Sequence, residues 1–195
     1  QLEGRGLTPE EKRRFLYPLP ADGAVRRAIA AAASDPALLR AVARNESLFE
    51  PSVRSRAGAL GWMQIMPFHF AERGALPGAD NWRNPAVSIG KGDGLLQENS
   101  RRYGGDPYLA VAAYNAGPHR VTRWLPTRTL PADIWIELVP FKETRGYLRR
   151  VLAYTVIYEK RMGKNPTRLN KRLHPVPPTL SLLGVHDSKL TDSAG

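Results

Sequence analysis

Three times along this chain a side chain suited to capping a helix stands directly before a proline, at Asp35-Pro36, Asn84-Pro85 and Asp106-Pro107. An Asp or Asn at that position accepts a hydrogen bond from the unpaired first-turn amides. Proline, with no N–H and a preset φ, suits the first helical residue. A chain that opens its elements this way is building helices. The stops agree, since Gly117-Pro118 and Gly163 have the composition of helix ends. Leu148, Val151, Leu152, Thr155 and Tyr158 recur at three- and four-residue intervals, one apolar face of a long helix. Strict alternation is nearly absent. Only Ser52 to Met66, with its small residues and with Gly58 and Gly61, permits a turn or hairpin. The expectation is an all-α, mainly helical fold with at most a short β-hairpin near residues 52–66.

A chain of 195 residues accommodates one domain with tails and buries a core that needs no covalent staples. Residues 1–20, charged and punctuated by Pro18 and Pro20, read as a linker or irregular lead-in. Residues 21–163 form the domain, and 164–195 a basic, proline-containing tail lying on it or loose in solvent. No run of 18 to 20 apolar residues is present to span a bilayer. Lys12-Arg13-Arg14 before Phe15-Leu16-Tyr17 mimics the start of a signal peptide, but Pro18 cuts the apolar stretch short. The absence of cysteine excludes disulfides, thiol nucleophiles and cysteine-held metals. His69, His119, His174 and His186 lack ligand spacing, and neither an HExxH nor a G-x-S-x-G motif occurs.

The net charge is +11, and from Lys142 to Arg172 ten basic residues face two acidic ones. Such a balance suits an anionic polymer or surface, or it is simply a solvated face.

The chemistry concentrates around one acid. On a helix from Asp35 to Phe49, Leu38, Leu39, Val42 and Phe49 fall on one side, and Glu46 lies inside that arc. Arg40 and Arg44 point the other way. A carboxyl on an apolar stripe is costly unless it is paired, protonated or lining a cleft, so it is either a buried structural acid or a functional one. The small residues of Ser55-Arg56-Ala57-Gly58-Ala59-Leu60-Gly61 allow close approach of a bulky ligand. Trp62-Met63-Gln64-Ile65-Met66-Pro67 adds a ring, two thioethers and an amide, a set equally at home in a core. Ala113-Tyr114-Asn115-Ala116-Gly117-Pro118 ends a helix with a phenol and an amide, and Pro140-Phe141-Lys142-Glu143-Thr144-Arg145 opens the basic helix with a second acid.

These four blocks, with Glu46-Ser47, resemble in order and spacing the signature blocks of the soluble lytic murein transglycosylases, family 23 of the glycoside hydrolases, related to goose-type lysozyme. The resemblance covers roughly residues 34 to 160, and residues 10 to 34 resemble the segment joining this domain to the superhelical part of the larger enzymes. It implies a lysozyme-like fold in which Glu46 is the single catalytic acid/base. It implies further that Ser55, Gln64, Met66, Tyr114, Asn115 and Glu143 line a glycan groove, with Tyr154 joining them on the long helix. Backbone capping by Ser55 and Asn115, core packing of Met66 and Tyr154, and helix-terminus complementation by Glu143 are the plainer roles for the same residues.

The implied reaction cleaves the MurNAc-β-1,4-GlcNAc bond of peptidoglycan and closes a 1,6-anhydro ring, with no metal or organic cofactor. The implied partners are peptidoglycan glycan strands. No nucleic acid and no transmembrane segment are expected, and the protein is read as a monomer, part of a longer chain, in the periplasm or cell envelope. A hydrolytic muramidase needs a second carboxylate, for which Glu50, Asp80 and Glu143 are the candidates. A basic nucleic-acid-binding module fits the charge but no recognised motif, and an inactive glycan binder fits poorly with an intact Glu46. One stretch departs from the family: Ile89-Gly90-Lys91-Gly92-Asp93-Gly94-Leu95-Leu96 reads as about two residues longer and richer in glycine. Its three glycines are expected to loosen or bulge that helix. It lacks the spacing of a phosphate-binding loop. Asn99 stands where the family packs an apolar residue.

Overall fold

A computed structural model describes residues 6–70 and 81–179. Asp80, His186 and the last part of the expected tail lie outside the described residues. The helices follow in the order α1 (Pro9–Leu16), α2 (Gly23–Ala31), α3 (Pro36–Ser47), α4 (Pro85–Arg102), α5 (Pro107–Ala116), α6 (Pro118–Trp124), α7 (Ala132–Leu138), α8 (Lys142–Arg161) and α9 (Leu169–Arg172). The fold is all-α, and no strand forms among the described residues. The 52–66 segment makes isolated antiparallel bridges, Arg54 with Leu60 and Leu60 with Ile65.

The three cap–proline pairs start α3, α4 and α5. The side chains of Asp35, Asn84 and Asp106 accept from the amides of Ala37, Ala86 and Tyr108, respectively. The helix at the centre is α5, with seven of its ten residues buried and contacts to α4, α6 and α8. Pro107–Ala116 contains no charged residue, and a helix apolar on every side is stable only when surrounded. The α3 and α8 helices pack against each other and α2 packs on α4, closing the core.

Three expectations need correction. The glycine-rich stretch is neither loosened nor bulged, because α4 runs unbroken through Gly90, Gly92 and Gly94. Gly92 explains itself: a Cβ there would lie 2.6 Å from Met63 Cε and 2.9 Å from Met63 Cβ, so only glycine lets the 52–66 segment settle on α4. The helix is further held by Asp93, whose carboxylate accepts from the amides of Ala33 and Ser34, both at 2.9 Å. The lead-in is not irregular, since Thr8 and Glu11 form a reciprocal capping box that starts α1. The acid-bearing helix stops at Ser47, two residues before Phe49, and both Leu48 (φ 53°) and Phe49 (φ 65°) are left-handed. Phe49 nonetheless packs on the core, edge-on to Tyr158.

The tail lies on the domain as far as Thr179. Leu130 and Val176 exchange backbone hydrogen bonds, Thr179 donates its amide to the Pro126 carbonyl at 3.0 Å, and Glu159 accepts from the Thr167 amide and pairs with Arg172. Several basic residues of the 142–172 run are thus engaged internally: Arg145 bonds the Val139 carbonyl, Arg150 the Asn45 side chain and Arg161 the Tyr17 carbonyl. Among the described residues no helix is long and apolar enough to cross a membrane.

The helix α4 yields a sharp contrast between neighbouring glycines. Gly92→Ala is expected to destabilise by about 1–3 kcal/mol, the cost of overpacking. Gly90→Ala, where a Cβ meets nothing within 4 Å, is expected to stabilise by about 0.5–1 kcal/mol through helix propensity. Urea unfolding of the two variants measures both signs.

Candidate active site

Glu46 occupies the last turn of α3, where the helix surfaces from the core. Its neighbour Ser47 fixes that turn, since the buried hydroxyl donates to the Trp62 carbonyl at 2.9 Å and lies 3.2 Å from the Ala43 carbonyl. Across the interface with α8, the Tyr147 hydroxyl donates to Glu46 Oε1 at 2.5 Å. Burial is the largest influence on Glu46 and disfavours its charged form. The Tyr147 hydrogen bond opposes it, the Glu143 carboxylate reinforces it, and the Arg150 guanidinium opposes it. The net result is a carboxyl pushed up from 4.5 to about 7. Near neutrality it therefore holds a proton for part of the population and releases it in the rest.

The other candidate residues arrive from three further segments. Tyr114, at the end of α5, donates its hydroxyl to the Met63 carbonyl at 2.7 Å. Burial, with the nearby charge of Glu46, holds this phenol well above its usual range. Asn115 Oδ1 accepts from Thr144 Oγ1 at 2.7 Å, joining α5 to the first turn of α8. Gln64 is left-handed (φ 49°), and its Nε2 donates to the carbonyls of Gly61 and Val53 at 2.9 and 3.1 Å. Ser55 Oγ accepts from the Ala59 amide at 3.0 Å, the local capping role, while Met66 is half-buried. Glu143 is exposed in the first turn of α8.

Tyr154 makes its contacts with Tyr17 and Arg44. Its ring stacks edge-on with Tyr17 at 5.3 Å, and the Arg44 guanidinium lies 4.4 Å from its centre. Glu50 is turned to other work, accepting from the amide and hydroxyl of Ser52. Among the described residues no cluster of three or more His, Asp or Glu could hold a metal ion.

Two contributors escaped sequence reasoning, Tyr147 and Arg150. The signal was present as spacing: Glu143, Tyr147, Arg150 and Tyr154 follow at four, three and four residues, one stripe of α8.

Comparison with known proteins gives a consistent picture. The family model described as the transglycosylase SLT domain matches residues 23–133, and that described as the soluble lytic transglycosylase helical domain matches residues 138–167. The chain is 39% identical over 138 residues to the soluble lytic murein transglycosylase of Escherichia coli K12, covering 67% of this chain and 21% of that protein. The Salmonella typhimurium protein of the same description is 40% identical over 132 residues, covering 64% and 20%. The crystal structure of the 70 kDa soluble lytic transglycosylase of Escherichia coli superposes with a TM-score of 0.73 at 33% identity, covering 86% of this chain and 28% of that one. The chain thus spans about a fifth of the length of these curated relatives.

Because the folded-state carboxyl of Glu46 titrates above its unfolded value of 4.5, the stability it contributes is complete below about pH 4.5. It is lost as pH rises through about 7. Glu46→Gln is expected to remove this slope and to be the more stable protein at pH 9, by up to about 3 kcal/mol. Thermal unfolding of both proteins between pH 4 and 9 measures it. Removing the opposing donor with Tyr147→Phe is expected to push the Glu46 titration to higher pH by about one unit. Glu143→Gln should lower it, and carboxyl-labelled NMR follows both shifts.

Proposed function

The chain belongs to the transglycosylase SLT domain family, and from that premise we propose that it cleaves the β-1,4 bond between MurNAc and GlcNAc of peptidoglycan, leaving 1,6-anhydroMurNAc ends. The observation that carries the reading is Glu46 itself, a carboxyl with a pKa of about 7 held by one phenol. Protonated Glu46 gives its proton to the glycosidic oxygen as the bond from MurNAc C1 breaks and the GlcNAc 4-hydroxyl departs. The resulting carboxylate takes the proton of the MurNAc 6-hydroxyl as that oxygen bonds to C1. One group is acid and then base, no water is consumed, and the intramolecular nucleophile supplies the advantage of proximity.

Ser55, Gln64, Met66, Tyr114 and Asn115 are proposed to line the glycan groove around Glu46. The hydrogen bonds that hold Gln64 to the Gly61 and Val53 carbonyls, Tyr114 to the Met63 carbonyl and Asn115 to Thr144 support this, because a groove wall that is already bonded loses little freedom when sugar binds. Glu143 is proposed to border the groove and Tyr154 to back it by holding Tyr17 and Arg44. The site of action is then the bacterial periplasm or cell envelope, where murein lies, and the active unit is a monomer.

A hydrolytic second reading draws on one observation, the influence of the Glu143 carboxylate on Glu46. An exposed carboxylate there is a candidate base for water. Digestion of murein sacculi followed by mass spectrometry separates the two, since anhydro ends are lighter by one water. The expected outcome is anhydro ends, with a loss of at least about 100-fold for Glu46→Gln and less than tenfold for Glu143→Gln. Reducing ends, abolished equally by both variants, would make the chain a hydrolase.

A further inference from the structure

Beside the bond between Glu46 and Tyr147 runs a second bridge between the same two helices. Asn45, the residue before the acid, accepts from Arg150 Nε at 2.7 Å, and Arg150 follows Tyr147 by three positions on α8. Neighbours on α3 are thus tied to neighbours on one face of α8. The need for the second bond is not structural. Arg150 is exposed and Asn45 half-buried, so water would satisfy either.

Gly146 shows where the guanidinium lies. It stands inside the 20-residue α8, where glycine is a weaker helix former than alanine. Beyond the backbone of its own helix, the atoms a Cβ there would meet within 4 Å all belong to Arg150, with Nη1 at 3.1 Å and Cζ at 4.0 Å. The side chain therefore folds back over the preceding turn, the turn that carries Tyr147, and glycine leaves it room.

Asn45 anchors this cation without cancelling it. A carboxylate in its place would bind the guanidinium at least as well but would neutralise it, whereas an amide oxygen leaves the charge whole. Other cations of these two helices are turned elsewhere. Arg44 bonds the Leu16 carbonyl and lies over the rings of Tyr17 and Tyr154, Arg145 bonds the Val139 carbonyl, and Arg149 pairs with Glu137.

Four titratable groups interact with Glu46: Glu143, Tyr147 and Arg150 from α8 and Tyr114 from α5. Burial raises the Glu46 carboxyl and Glu143 raises it further, so both disfavour the anion that forms when Glu46 gives its proton away. Tyr147 opposes them with a hydrogen bond, and Arg150 with the one positive charge of the four.

We propose that Asn45 and Gly146 are positioning residues that lodge the Arg150 guanidinium beside Glu46, where its charge steadies the carboxylate left when the proton passes to the glycosidic oxygen. The proposal deepens the transglycosylase reading above and rests on it for the destination of the proton.

Carboxyl-labelled NMR of the whole chain follows the Glu46 titration without turnover. Arg150→Gln removes the charge and is expected to move the titration up by about half a pH unit. Asn45→Asp keeps an anchor but cancels the charge, and should move it at least as far. Asn45→Ala releases the guanidinium and should give a smaller move in the same direction. Gly146→Leu should move it up in the native protein and no further in Arg150→Gln, since the two act through one group. Arg150→Lys, which keeps the charge, should recover part of the shift. Salt at about 1 M should shrink these moves but not that of Tyr147→Phe, which acts through a hydrogen bond. The alkaline limb of murein cleavage, read as release of anhydro ends, should follow the titration upward, and melting curves confirm that the variants fold.

A Glu46 titration left in place by Arg150→Gln, or by Asn45→Asp, overturns the proposal, even where the melting temperature falls. The expected shifts in a protein that releases no anhydro ends would leave the lodged charge standing and sink the transglycosylase reading instead.

Discussion

A helix without charge on any side needs neighbours on every side, and the arrangement of this protein follows from satisfying α5. Tyr108, Leu109, Val111, Ala112 and Ala113 are all nearly inaccessible to solvent, with α4, α6 and α8 around them. The alanines keep the helix thin, so its neighbours approach closely. Its far end is where polarity returns, at Tyr114 and Asn115, just before Gly117 (φ 86°) turns the chain away. The core helix thereby holds a phenol against the Met63 carbonyl and an amide against Thr144 without any loop to position them.

The acid depends on the same economy of elements. Glu46 is raised by burial and lowered by Tyr147, and both come from the one interface between α3 and α8. Without the donor from α8, burial would raise the carboxyl further; in a wetter pocket it would fall back toward its usual value. Arg150 and Glu143, on the same stripe of α8, trim the balance in opposite directions. Tuning by one helix face is robust, because helical spacing holds the residues in register.

Much of this was legible in the sequence, and the reasons it was legible are local. The cap–proline pairs announce α3, α4 and α5 because capping is decided within a few residues. Glu46 stands out because an acid on an apolar stripe is a conflict visible in seven or eight positions. What stayed hidden involves partners far apart in the chain. The Tyr147–Glu46 bond spans 101 residues. The meaning of Gly92 lies in Met63, and that of Asp93 in the amides that close α2. Propensity alone treats three glycines in one helix as a weakness, whereas tertiary contact makes one of them obligatory. The basic run misled in a similar way, since charge counted along the chain does not separate Arg161, bonded to the Tyr17 carbonyl, from Lys160 in solvent.

The left-handed pair after the acid links these threads. Leu48 and Phe49 each accept a backbone conformation that costs a non-glycine residue about 1–2 kcal/mol, and Leu48 recovers little of it, being 69% exposed. Such strain persists only where the surroundings leave no alternative. Here the surroundings are Ser47, locked to the Trp62 carbonyl, and Phe49, seated against Tyr158. With both fixed, α3 has to stop within one turn of Glu46 and the chain has to reverse at once. The abrupt stop leaves Glu46 in the last turn of a largely buried helix, where burial raises its carboxyl to about 7 while the residue stays partly open to solvent.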